Sequence, residues 1–376
     1  MRGRVVIAGV GETGWGKHPG RDRIDLITEA AAAALVDAGI SKDMVDGVLV
    51  KMANSEPSFL YGQQVAEALG LKPRVGASLD QGGAAPAALI AYAAMAIEAG
   101  LMEVSLVCYG DTPRTGSRAV YSRPRGAEAA YGWYSTAAGY AMIHQAYRQM
   151  YSIPDAHFGA VAVNARANGA ANPKAQLRAA LAIEDYLAAP HMIEPLRKDD
   201  CCLLSDGAAA VLVMSALRAT KLGIAHAVPV LGFGQGQESW EVHLRSDLTR
   251  TMAEASGAAA FKMAGLAPKD IDVAQLYDCF TVVPLLTLED YGFVPRGQGA
   301  AFAADGGMAT TGRLPTNTSG GLLSESGSPG LPLIIEGVRQ MRGTANLQVR
   351  KARTCIVSNQ GGSMHTHATL ILGAAA

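Results

Sequence analysis

Residues 38–50 read AGISKDMVDGVLV, and residues 264–276 read AGLAPKDIDVAQL. In both, an alanine-rich helical stretch ends at a glycine, an acidic turn follows, and a short apolar run reads as a strand. Asp46 and Asp272 hold the same place in the two copies, at an offset of 226 residues. A second parallel supports the first: GGAAPAALIAYAAMAIEAG (82–100) and GGLLSESGSPGLPLIIEGVRQMRG (320–343) both run from a Gly-Gly turn into an apolar helix. Repetition on this scale implies two similar α/β halves, residues 1–225 and 226–376, joined between about residues 218 and 250.

The runs RVVIAGV, VDGVLV, VSLVCYG, AAAVLVM and ATLILG read as buried strands alternating with helices. Between the early elements of the two halves, residues 111–195 are richer in Arg, Tyr and Asn-Pro and read as an inserted loop region.

The chain has 376 residues, 49% of them hydrophobic, enough for a large core. A net charge of −1 with only 17% charged residues gives no long-range pull toward nucleic acid or an anionic membrane surface, so the expected ligand is small. No apolar run reaches membrane-spanning length. Five cysteines without a CxxC pair fit reduced thiols in a cytoplasmic protein, and no metal site is expected. The GxG at Gly9 and Gly11 lacks the rest of a dinucleotide fingerprint.

Five segments carry a resemblance: NPKAQLR (172–178), SDGAAAVLV (205–213), LYDCFTVVPLLTLEDYGFVPRGQG (276–299), NTSGG with GSPG (317–330) and the terminal SNQGGSMHTHATLIL. Together they resemble the thiolase superfamily, closest to the sterol-carrier-protein-X-type thiolases and the bacterial lipid-transfer thiolase-like proteins. The resemblance implies a five-layered α/β/α/β/α thiolase fold and a homodimer. It implies coenzyme A thioesters as substrates, with no covalently held cofactor, and chemistry at a carbon–carbon bond.

The family's usual equipment is a nucleophilic Cys at a helix N-terminus, a His in a GHP loop, an Asn or His at a strand end, and a second Cys near the C-terminus. A helix N-terminus favours the thiolate through its dipole and free N–H groups. Here the nucleophile position falls at Gly83, the GHP loop reads Gly327-Ser328-Pro329, and the terminal motif reads Asn359-Gln360-Gly361-Gly362-Ser363. Covalent acyl transfer through cysteine is therefore not expected.

Polar chemistry remains at four positions. Tyr277 takes the strand-end place, where its phenol can donate to a thioester oxygen, or exchange a proton if the site lowers its pKa. His365 and His367, two apart, point the same way on an extended segment; two imidazoles without a third ligand make a poor metal site, and His365 in particular is a candidate acid or base. Ser328 keeps a hydrogen bond where the family has His. Asp278 is expected to orient backbone. Gly82, Gly83, Asn317, Gly320, Gly327, Asn359, Gly361 and Gly362 are expected to line the substrate. Arg118 and Arg123, in the stretch DTPRTGSRAVYSRPRG, meet CoA phosphates or else belong to a solvated loop.

The resemblance leaves three readings. The first is a cysteine-independent aldol or retro-aldol lyase on a β-hydroxyacyl-CoA, with a small OB-fold/zinc-ribbon acyl-CoA-binding partner. The second is a non-catalytic subunit bracing a cysteine-bearing thiolase paralogue. The third is an acyltransferase with an unrecognised nucleophile at Cys279 or Ser328.

Overall fold

Asp22 starts the first helix by accepting the Ile24 N–H in a capping box with Asp25, and Gly39 ends it in the left-handed region. In the computed structural model of the protein, which describes residues 2–122, 127–239 and 242–375, this helix α1 (Arg23–Ala38) lies on strand β1 (Val5–Glu12). The chain continues through β2 (Gly47–Lys51), β3 (Val75–Leu79), helix α2 (Ala85–Glu98) and β4 (Val104–Asp111). It then makes α3 (Thr136–Tyr151), α4 (Asp155–Ala171) and β5 (Gly207–Ser215). The second half holds β6 (Val228–Gln237), α5 (Ala253–Ala264), β7 (Val273–Gln275), α6 (Leu331–Arg342), β8 (Thr354–Gly361) and β9 (Thr366–Gly373).

These nine strands lie in the order β3-β2-β4-β5-β1-β6-β9-β8-β7, which mirrors itself about the β1–β6 contact except that β3 has no counterpart. β5 runs antiparallel to both β1 and β4, and β9 does the same to β6 and β8. β2 runs parallel to β4, as β7 does to β8. The halves meet at a short contact where Val6 and Ile7 face Pro229 and Val228.

The repeated aspartates do one job twice. Asp46 accepts the N–H groups of Glu103 and Val104 where β4 begins, and Asp272 accepts those of Arg353 and Thr354 where β8 begins. The glycines of β1 and β6 are duplicated too: a Cβ at Gly9 would strike the Ala34 carbonyl on α1, and one at Gly232 the Ala260 carbonyl on α5. The GxG of β1 is thus a seat for a closely packed helix.

α2 is almost wholly apolar, as a helix packed between the two halves of the sheet must be. It packs on strands of both halves, as does α6, while α1 and α5 cover the outer faces, which gives five layers. Residues 111–195 are inserted between β4 and β5. They are expected from sequence to be loop, yet they hold the long helices α3 and α4, whose Tyr140, Ile143, Tyr147, Phe158 and Val161 join the core. Alanine and aromatic spacing on these helices supplies a buried stripe that overrides the polar composition. Among the described residues no helix is long and apolar enough to cross a membrane, and no group of three or more His, Cys, Asp and Glu is placed to hold a metal.

Candidate active site

The Gly82–Gly83 turn ahead of α2 meets two other segments at backbone contact. A Cβ on Gly82 would lie 2.9 Å from the Gly361 Cα. A Cβ on Gly83 would lie 2.5 Å from Tyr277 Cζ, and closer still to Tyr277 Oη and the Gln360 carbonyl oxygen. No side chain fits at position 83: the Tyr277 phenol fills the space in which a nucleophile there would stand.

Tyr277 follows β7, and its backbone N–H donates to Ser358 Oγ at 2.9 Å. Burial, with Cys279, Cys202, Tyr121 and Asp278 around it, holds its hydroxyl well above the usual phenol range. The sequence leaves Tyr277 open as donor or acceptor of a proton; here it stays protonated near neutral pH, so its hydroxyl has a proton to donate and is no base. Asp278 accepts the Leu322 N–H at 2.7 Å and that of Leu323 at 3.4 Å, so it orients the 321–324 turn. Burial raises its carboxyl to about 7.

The Gly361–Gly362 turn is held from outside by Tyr140 of α3. Its hydroxyl donates to the Gly362 carbonyl at 2.6 Å and accepts from Gln360 Nε2, and its ring stacks on Phe280 at 4.2 Å. Gln360 Nε2 also donates to Cys279 Sγ at 3.1 Å. Burial raises the Cys279 thiol and pushes Cys202 to about 12, so neither is a thiolate at neutral pH.

His365 lies in the turn before β9 and not on the strand. Its N–H donates to the Gly361 carbonyl at 3.0 Å, and its ring rests beside Gly362. It therefore shares no strand face with His367, contrary to the extended geometry expected from their spacing. His367 belongs to β9 and points to the outer layer: Nδ1 meets Ser256 Oγ on α5 at 2.9 Å, and Tyr291 packs edge-on. Burial lowers its pKa to about 3, so it is neutral, and it stands behind the sheet from the Gly82–Gly83 turn.

Several residues expected at the substrate are spent inside the protein. Asn317 accepts the Leu276 N–H at 2.7 Å and returns its amide to the Leu276 carbonyl at 2.8 Å, which fixes the end of β7. Asn359 accepts the Ala87 N–H at 3.2 Å and donates to the Gly330 and Ser358 carbonyls, bracing the N-termini of α2 and α6. Gly320 packs on Gly169 and Gly327 on the Leu203 carbonyl, so both serve close approach. Ser328 is buried, with its N–H bonded to Ser326 Oγ at 3.1 Å and its own Oγ without a partner among the described residues. Arg118 is exposed and donates to the Arg114 carbonyl at 3.2 Å; Arg123 lies outside the described residues.

Sequence reasoning missed a polar cluster beside the site. Lys51 is fully buried at the end of β2, with Nζ 2.8 Å from the Met52 carbonyl and 2.9 Å from Asn54 Oδ1. Asn54 Nδ2 donates to the Tyr121 hydroxyl at 2.9 Å. The repeat carried the signal: the offset of 226 that pairs Asp46 with Asp272 also pairs Lys51 with Tyr277. Beyond the turn, Trp133 and Ser363 both press on Gly139. Trp133 borders a cavity of about 940 Å³ that Tyr131, Ala138, Ala141 and Met142 also line.

Comparison with known proteins agrees with this architecture. The family described as Thiolase C-terminal domain-like matches residues 234–374. The chain is 35% identical to the steroid side-chain-cleaving aldolase of Thermomonospora curvata, over 100% of this chain and 99% of that protein. It is 34% identical to the 17-hydroxy-3-oxo-4-pregnene-20-carboxyl-CoA lyase of Mycobacterium tuberculosis, over 92% and 93% of the two chains. Among solved structures, one described as an Ltp2-ChsH2(DUF35) aldolase superposes with a TM-score of 0.90 at 34% identity, covering 99% of this chain and 98% of that one.

Proposed function

The chain belongs to the thiolase superfamily, in its sterol-carrier-protein-type thiolase-like branch, and from that premise we propose that it is a carbon–carbon lyase cleaving a β-hydroxyacyl-CoA by a retro-aldol reaction. The observation that carries this reading is the Tyr277 phenol standing where a side chain on residue 83 would be. An acyl-enzyme cannot form at that place, whereas a retro-aldol step needs only a base and a stabilised enolate. The similarity to an aldolase and a CoA lyase supports it.

In this scheme His365 takes the proton of the β-hydroxyl, the Cα–Cβ bond breaks, and the β-carbon leaves as a ketone or aldehyde. The electron pair passes into the thioester as an enolate. Tyr277 donates to the enolate oxygen, with backbone amides of the Gly82–Gly83 and Gly361–Gly362 turns as further donors. Protonation at Cα then gives the shorter acyl-CoA. The cavity bordered by Trp133 receives the apolar part of the substrate, and Arg118 faces the CoA phosphates.

Two partners complete the reading. A small OB-fold/zinc-ribbon acyl-CoA-binding protein is supported by the solved aldolase described with a DUF35 component. A homodimer is supported by β3, an edge strand whose Gly76, Ala77 and Ser78 are exposed. The test is incubation of the protein, alone and with a co-expressed DUF35 partner, with a panel of β-hydroxyacyl-CoAs and mass detection of products. A carbonyl compound plus a shorter acyl-CoA, lost in Tyr277→Phe, is expected. Binding of CoA esters without any cleavage in either preparation overturns the proposal and leaves a non-catalytic subunit.

A further inference from the structure

The Lys51 cluster has a direction built into it. An ammonium has only donors, so Asn54 must turn Oδ1 toward Lys51 Nζ at 2.9 Å, and its Nδ2 is thereby aimed at Tyr121. Tyr121 must accept from Asn54, which leaves its own O–H to donate elsewhere. Among the described residues no acceptor takes that proton. Tyr121 is half-buried, and the groups within its electrostatic reach include Cys202 and Tyr277, the second of which is the phenol of the active site.

We propose that Tyr121 is a second substrate-contacting hydroxyl of this site, donating its O–H to an oxygen of the bound acyl-CoA, and that Lys51 and Asn54 are positioning residues that aim it. The inference rests on the acyl-CoA lyase reading for its substrate. Pseudo-symmetry supports it: Lys51 and Tyr277 occupy equivalent places at the ends of β2 and β7, so each half contributes a polar group from the same register. The cation also faces Asp80, whose Oδ1 accepts the Gly82 N–H at 2.9 Å, so it braces the glycine turn as well.

The other charged or titratable groups around Lys51 are Asp111, which accepts the Asn54 and Ser55 N–H groups, and Tyr109, whose ring lies 4.4 Å from Nζ and whose hydroxyl donates to Asp111. Burial lowers the ammonium to about 8, with Asp80 and Asp111 opposing the fall. Above that pH the charge is lost and Asn54 is no longer held in one orientation.

The experiment has two parts. In turnover of a cleaved β-hydroxyacyl-CoA, Tyr121→Phe should lower kcat about 100-fold, the usual loss for one transition-state donor. Asn54→Ala should lower it by about 10-fold in wild type and by nothing further in the Tyr121→Phe background, because Asn54 acts through Tyr121. The fall of kcat above pH 8 should vanish in Lys51→Met. Full activity of Tyr121→Phe while wild type cleaves substrate overturns the inference and leaves the lyase reading intact, as do additive effects.

The second part needs no turnover. With tyrosines labelled at the ζ-carbon, the Tyr121 resonance, assigned by its absence in Tyr121→Phe, should shift when a β-ketoacyl-CoA, which keeps the thioester and β-oxygens and has no β-hydroxyl to cleave, is added. The shift should be smaller in Asn54→Ala. If wild type cleaves nothing, the lyase reading falls and this shift still decides the inference. An unmoved Tyr121 signal at saturating ligand overturns it.

Discussion

Gly83→Ala isolates the feature on which the functional reading depends. The added methyl would meet Tyr277 Oη, Tyr277 Cζ and the Gln360 carbonyl oxygen, all at 2.5 Å or less. The carbonyl belongs to Gln360 of β8, which is held in register against His367 of β9, so the strand resists displacement. The ring must therefore move, and it is packed in the core. Overpacking of this kind costs about 1–3 kcal/mol.

Two of the three nearest clashes belong to Tyr277, so in a Tyr277→Ala background the same methyl should cost at least about 1 kcal/mol less. The assay is a pair of chemical denaturation curves for the four proteins of the cycle, with turnover measured alongside. Gly83→Ala should lose about 100-fold in kcat, because a displaced phenol no longer reaches the enolate oxygen. Gly83→Cys should be destabilised in the same way and should trap no acyl group. Wild-type stability and turnover in Gly83→Ala would refute the packing of Tyr277 on the turn, and with it the argument against a covalent mechanism.

Four further outcomes follow from the same geometry. Tyr277→Phe, which keeps the ring and removes the donor, should lower kcat by about 100-fold or more with KM little changed, read by steady-state kinetics. His367→Asn should retain turnover within about threefold, since His367 faces Ser256 behind the sheet. Its folded pKa of about 3 lies below the ordinary imidazole value, so only the unfolded state binds a proton between about pH 6.5 and 3. Stability due to this group is present above that window and lost through it; the acid loss of Tm should be shallower in the variant. Asp278, Asp290 and Glu325 have the opposite sign: held near 7, 6 and 8, they bind protons that the unfolded chain releases near pH 4, so stability falls as pH rises from 4 toward 8, and Asp278→Asn should flatten part of that slope in pH-dependent denaturation.

Much of the architecture is legible in one dimension because it rests on chemistry that is repeated. The five apolar runs are all strands, and the two aspartates tie the same strand starts although their N–H partners lie 57 and 81 residues away, because the repeat duplicates acceptor and donors alike. The motif departures are local: a missing cysteine can be read from the sequence. What the sequence does not settle is which polar residues face one another. His365 and His367 look equivalent by spacing, and a tight turn separates their roles. Asn317 and Asn359 look available to substrate, and backbone groups far away in sequence consume their amides.

Sequence alone thus determined a duplicated α/β chain without the family's nucleophile. Only the tertiary structure decided that Tyr277 fills the space beside Gly83, that its phenol stays protonated, and that buried Lys51 is linked through Asn54 to Tyr121 by hydrogen bonds. The physical reason is that steric exclusion, desolvation and hydrogen-bond direction belong to groups brought together from residues 51, 83, 121, 277 and 360, and no local pattern encodes their distances.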